Sequence, residues 1–206
     1  MPYVLTVDQI DSRHEPDRVP AAMAALTERH PAVEVSRTVG DEFEALFSTD
    51  PVSVVTAILA LMREGTWHLG VGIGPVDEPI PTDLREARGA AFLAARRAVE
   101  EAKRRTDHLR VIAAPPAEDD AHDAETVLAL MLALRARRSS AGWVAADLAD
   151  QGLAQAEIGD RIGISRQAVS QRLQAAQWSL DLDARPVAAR LLDQAERRAT
   201  PDRDPG

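Results

Sequence analysis

Along the first half of the chain, apolar and polar residues come in short runs with a period near two, broken by stretches at helical spacing. Tyr3–Ile10 (YVLTVDQI) has strand composition and is closed by the polar, proline-containing Asp11–Arg18. Pro20–His30 reads as a helix with Met23 and Leu26 inward, and Val33–Val39 alternates as a half-buried strand does. Gly40 and Asp41 bring turn chemistry, and Glu42–Phe47 (EFEALF) alternates again, so the two runs predict a hairpin. Val52–Arg63 is apolar at helical spacing, Trp67–Gly74 is a glycine-rich strand, Arg85–Arg105 a long alanine-rich helix, and Leu109–Ala114 a short last strand. The predicted order is β-α-β-β-α-β-α-β.

Pro115–Asp123 (PPAEDDAHD) combines prolines and acids with nothing apolar to bury, which predicts a linker over 115–124 between domains 1–114 and 125–199. Beyond it the spacing is helical throughout: Glu125–Arg138, Ala141–Gln151, two short helices within 154–176, and a last one over Pro186–Arg198. The tail 200–206 is expected to be disordered. The fold class expected is α+β, a ferredoxin-type sheet domain followed by an all-α domain.

Composition narrows the chemistry. The chain of 206 residues has no cysteine, which removes disulfides, thiolate catalysis and thiolate zinc sites, so any metal site must use oxygen or histidine ligands. No apolar run reaches the roughly 20 residues that span a bilayer, and the N-terminus is acidic where a signal peptide is basic, so a cytoplasmic location is expected. The net charge of -9 argues against a sequence-blind nucleic-acid coat. It is unevenly spread: 126–206 holds 11 arginines against 10 acids, and every base there is arginine.

Within that basic part, Ile158 and Ile162 are placed to face inward from one helix, Gly163 stands where a turn needs positive φ, and Ile164 fills the angle. Ser165 is placed to cap a second helix whose buried face is Val169 and Leu173. Arg166, Gln167, Ser170, Gln171 and Gln174 are left for the outer face. With Ser165 they are side chains that read base edges in a major groove, while Arg161 and Arg172 suit phosphate. An alternative is a helical hairpin used only for packing or dimerisation. The string Leu153–Trp178 (LAQAEIGDRIGISRQAVSQRLQAAQW) resembles the helix-turn-helix of bacterial regulators, in particular region four of sigma factors. It departs from them at Ala154, where a Ser or Thr cap is common.

The acids Asp41, Glu42 and Glu44 sit at the hairpin, and Asp8 ends the first strand. Carboxylates from adjacent strands can meet at one sheet end and hold Mg²⁺, which brings phosphates with it; the alternative is a solvated turn. VDQIDSR, VGDEFEALF, VGIGPV and RGAAFLAARRAVEEAK together resemble the SatD family over about the first 113 residues, and more distantly the palm domains of class III nucleotide cyclases and diguanylate (GGDEF) cyclases. That resemblance implies Mg or Mn held with a nucleotide by Asp8 and Asp41, with Glu42 as a third candidate ligand. Phe92 stands where class III cyclases carry a transition-state Asn four residues before Arg96, and Val39 where diguanylate cyclases carry a second glycine. Turnover is therefore not expected. His68, lone on a strand, is expected to be a structural residue.

These features favour a homodimeric, sequence-specific regulator that binds double-stranded DNA and carries a palm-like domain for a nucleotide or a divalent metal. Dimerisation is expected through the first domain or the helix Glu125–Arg138. A nucleotide-acting enzyme with accessory helices, and a scaffold that binds no DNA, are the alternatives.

Overall fold

A computed structural model describes residues 2–38, 40–48 and 50–200. Val39 and the segment 201–206 of the expected tail lie outside the described residues. Five strands, β1 (Tyr3–Gln9), β2 (Glu34–Arg37), β3 (Glu42–Phe47), β4 (Trp67–Ile73) and β5 (Leu109–Ala113), form one sheet. The helices are α1 (Val19–Arg29), α2 (Pro51–Arg63), α3 (Ala90–Ala102), α4 (Glu118–Ala136), α5 (Ser140–Asp150), α6 (Gln155–Ile162), α7 (Arg166–Ala175) and α8 (Trp178–Ala199). The class is α+β. No helix of the described residues is long and apolar enough to cross a membrane.

Spatially the strands run β2-β3-β1-β4-β5, antiparallel except for the β4–β5 pair. Strand alternation sorts the side chains into two faces. Tyr3, Leu5, Val7, Phe43, Trp67 and Leu69 belong to the main core with α1, α2, α4 and α8. On the other face Val4 and Leu46 pack with Ala91, Phe92 and Ala95 of α3. The closeness of α3 explains the glycine pattern of β4. A Cβ at Gly72 would lie 2.0 Å from the Ala91 carbonyl oxygen, and one at Gly70 would lie 2.2 Å from the Val99 nitrogen. Only glycine lets the helix backbone rest on the strand.

The order of strands and helices in the sheet half follows the sequence pattern, with three differences in extent. The expected helix Arg85–Arg105 is a single 3-10 turn, Leu84–Glu86, then α3 from Ala90, because Ala87 is extended and Gly89 has φ of 130°. The expected helix Pro186–Arg198 is longer: α8 starts at Trp178 and carries Pro186 inside it. An internal proline costs about 3 kcal/mol. Burial of Ala188, Ala189, Leu192 and Ala195 in the main core offsets that cost.

The third difference concerns the expected linker. From Glu118 onward it is the N-terminal part of α4, and Ala117, Ala121 and Ala124 lie in the main core. One of its acids, and Glu125 just beyond it, act as fasteners. Asp120 accepts hydrogen bonds from Gln194 Nε2 at 2.7 Å and Arg198 at 3.0 Å. Glu125 accepts from the Val111 backbone N–H at 2.7 Å and from Arg110 at 2.8 Å, so a side chain answers a donor of β5. Acids at 118–120 also suit the positive end of a helix dipole. The inner face of α4, a helix expected beside the first domain as a dimerisation element, packs within the chain, while Leu130 stays exposed.

Candidate nucleic-acid interface and acidic cluster

Helices α5, α6 and α7 enclose a small core of Ala145, Leu148, Ala149, Ile158, Val169 and Leu173, with Leu153, Ile162, Ile164 and Trp178 at its margin. The turn between α6 and α7 is built by local chemistry. Gly163 has φ of 71°, a left-handed conformation that a side chain resists, and its N–H donates to the Gly159 carbonyl, as does that of Ile164 at 3.0 Å. Ser165 Oγ accepts from the Ala168 N–H at 3.2 Å and caps α7. At the start of α6, Ala154 has no side chain to cap with, but Glu157 reaches back and accepts its N–H at 2.7 Å. That supplies half of a capping box, so the missing Ser or Thr is partly compensated.

Gly159 sets how closely the helices meet. A Cβ there would lie 2.6 Å from the Ile164 carbonyl oxygen, a backbone atom. Gly159→Ala is expected to cost about 1–3 kcal/mol from that overlap, more than the roughly 0.5–1 kcal/mol alanine normally gains in a helix. A fall in the urea midpoint, with the largest loss of amide protection in α6 and α7, is the result to look for; an unchanged midpoint would show that the turn relaxes freely.

All the expected reading residues lie on one unit. Ser165, Arg166, Gln167, Ser170, Gln171 and Gln174 are exposed, as is Arg161, and Arg172 is half-buried. The guanidinium groups of Arg161, Arg166 and Arg172 have no hydrogen-bonded or ionic partner among the described residues. Arg135, Arg138, Arg185, Arg197 and Arg198, by contrast, are all ion-paired. The basic charge of the C-terminal half is thus used up structurally except at places that include this unit.

At the sheet end, Asp8 of β1 stands opposite Glu42 of β3 and His68 of β4 in register. The Gln9 N–H donates to the Asp41 carbonyl at 3.0 Å, which brings the hairpin turn to the end of β1. Asp8, Asp41 and Glu42 therefore neighbour one another, and burial pushes the Asp8 carboxyl up, with Lys103 pulling it back and Asp41 adding to the rise. Each carboxylate nevertheless has a protein donor. Lys103 Nζ lies 3.1 Å from Asp8, the Ser12 hydroxyl donates to Asp41, and Thr38 Oγ1 donates to Glu42 at 2.7 Å. Glu44, fully buried, accepts from Arg96 Nε at 2.9 Å. Among the described residues no three His, Cys, Asp or Glu side chains are grouped to hold a metal ion. The donor set as placed does not fit a divalent-ion cage, because the Lys103 ammonium already answers the charge on Asp8.

Sequence reasoning missed Lys103 and the Glu44–Arg96 pair, both of which depend on α3 lying across the sheet. Asp11, with φ of 53°, accepts the His14 and Glu15 backbone N–H groups and organises the turn after β1. His68 meets His108 with Nδ1 atoms 3.1 Å apart, and burial holds the His68 pKa below its usual value, with His108 adding to the effect.

Glu42 gives a pH test. Burial pushes its carboxyl up; the Thr38 hydrogen bond opposes this, and the charge on Asp8 adds to it. A raised folded-state carboxyl contributes stability below the ordinary carboxylate range and loses it as pH rises through the raised value. Glu42→Gln should therefore stabilise the protein at neutral pH, by less than about 1 kcal/mol because solvent screens the half-exposed carboxyl, with the gain vanishing in acid. Lys103→Met should lower neutral-pH stability by roughly 0.5–1 kcal/mol. Urea midpoints across the pH range check both, and a Glu42→Gln gain that grows in acid would contradict the sign.

No protein-family model and no curated protein sequence matches the chain.

Proposed function

We propose that the chain is a sequence-specific DNA-binding transcriptional regulator that reads double-stranded DNA with α7 and acts as a homodimer. One observation carries this: α6, a left-handed Gly163 and the Ser165-capped α7 hold Arg166, Gln167, Ser170, Gln171 and Gln174 exposed on one helix. Arg pairs with guanine, Gln with adenine and Ser with either, and one α-helix fits the major groove. The unpaired Arg161 and half-buried Arg172 flank that face as phosphate contacts. A single unit of this size buries less protein surface than a typical specific interface, which is why two half-sites about one helical turn apart are expected.

The order β2-β3-β1-β4, with helices on both faces, supports a palm-like unit, which we assign a sensing and dimerising role. Catalysis is disfavoured by the side chains themselves. Phe92 is buried in the core under α3, and Arg96 is engaged by Glu44.

The test is selection of genomic fragments on the purified protein, followed by competition gel shifts on the enriched sequence. A common half-site repeated with two-fold symmetry is the expected result. Enrichment of no sequence at any salt concentration would overturn the DNA reading in favour of a scaffold. Cyclic product or pyrophosphate from ATP or GTP would favour the enzyme.

A further inference from the structure

Between the sheet and the helical unit lies a cavity of about 520 Å³, within the range of small-molecule sites. Leu59, Met62 and Trp67 line it from the sheet side, Leu132 from α4, and Trp143 from α5. This surface is apolar and aromatic on two sides, suited to a planar ring. The Trp67 Nε1–H is already engaged by Glu64 at 3.1 Å. The Trp143 indole N–H and the Thr106 hydroxyl, both on lining residues, have no partner among the described residues.

The electrostatics of the wall select the sign of a ligand. Three guanidiniums surround the Trp143 ring: Arg63 at 3.9 Å, Arg138 at 4.8 Å and Arg135 at 5.6 Å. Asp147 answers Arg63 in a bidentate pair. Asp181 must serve Arg135 and Arg138, and it shares Arg185 with Asp150. The Arg138 side chain is 1% exposed, and its Nη1 and Nη2 are buried with no hydrogen-bond partner. Asp107, on the cavity rim, is taken by Arg105. The wall around Trp143 thus holds more positive than negative charge next to an apolar floor.

We infer that this cavity binds a small aromatic carboxylic acid, its ring on the Trp67–Met62–Leu132 floor and its carboxylate beside Trp143 and the lining Arg63 and Arg135. Trp143 and Asp147 belong to α5, which packs directly on the reading helix α7 through Val169 and Leu173. The ligand would sit at the joint by which the sheet holds the reading unit, and occupancy changes DNA affinity; this coupling, unlike the binding, rests on the regulator proposal.

The experiment is calorimetric titration of the full chain with 1-naphthoate and indole-3-acetate, with the neutral amides of the same rings and acetate as controls. Saturable one-to-one binding of the acids is expected, with the amides weaker by about tenfold or more, as for loss of a hydrogen bond to a charged group. Ala133→Phe, at an exposed α4 position lining the cavity, should abolish binding while leaving the melting curve intact; Trp143→Phe should weaken it. No binding of either acid, amides as tight as acids, or full binding to a folded Ala133→Phe would each overturn the assignment. Gel shifts with and without 1-naphthoate form a separate arm. Acid binding with no DNA binding would sink the regulator reading and leave the site standing, DNA binding without acid binding would do the reverse, and both without mutual effect would refute the coupling.

Discussion

Replacing Asp181 with alanine is expected to lower the stability of the protein by about 3–5 kcal/mol, the cost of leaving buried charge without its partner. Asp181 is fully buried on α8 and receives Arg135 Nε at 2.7 Å, Arg185 Nη2 at 2.7 Å and Arg138 at 3.4 Å. Burial pushes its carboxyl up, but the hydrogen bonds from Arg135 and Arg185 outweigh this and hold it below the usual range. A depressed carboxylate contributes stability above its unfolded pKa and loses it as pH falls through the folded value, so this contribution is lost below the ordinary carboxylate range. In Asp181→Ala two buried guanidiniums, on Arg135 and Arg138, lose their charge partner. Arg138 also donates from Nε to the Ala176 carbonyl at 2.8 Å, at the C-terminal end of α7, so disorder there should reach α7. Chemical denaturation measures the loss, and amide exchange in α7 measures its spread. A loss below about 1 kcal/mol, the range of solvent-screened pairs, would mean that water reaches the cluster.

The second large effect is on recognition. Arg166→Ala and Gln167→Ala should each cost roughly 1–3 kcal/mol against the preferred sequence, the value of a bidentate base contact, with little change in binding to unrelated DNA. Both side chains are exposed and unpaired at the first turn of α7, where a helix enters the groove, so neither substitution removes a structural contact. Arg172→Ala should instead weaken binding to all sequences alike and reduce the salt slope by about one. Its position, half-buried beside Leu173, suits a phosphate contact at the flank. Competition gel shifts at two salt concentrations separate the patterns. Retained operator preference in Arg166→Ala would show that α7 is not the reader.

The difference between these effects follows how each feature is encoded. The order of strands and helices, the hairpin at Gly40, the turn at Gly163 and the exposed face of α7 are local properties. They depend on side-chain period, on left-handed glycine and on a capping serine, all within one turn or one strand pair. Those were legible from the residues alone. The acids of 115–124 were not, because proline and carboxylate signal solvent only when nothing distant answers them. Here Arg198 and Gln194 do so for Asp120, from up to 78 residues away.

The same holds at the sheet end. Sequence placed Asp8, Asp41 and Glu42 together through strand register, which is a near-neighbour consequence of the hairpin. It could not place Lys103 on Asp8 or Arg96 on Glu44, since both depend on α3 crossing the face that the glycines of β4 leave open. By itself, then, the sequence determined which elements form and which side chains α7 leaves free. Tertiary packing alone decided which charges are neutralised, where buried guanidiniums collect around Trp143, and that the sheet and helical halves share a wall. The physical reason is that charge compensation and cavities depend on where distant elements pack, and local periodicity carries no record of that.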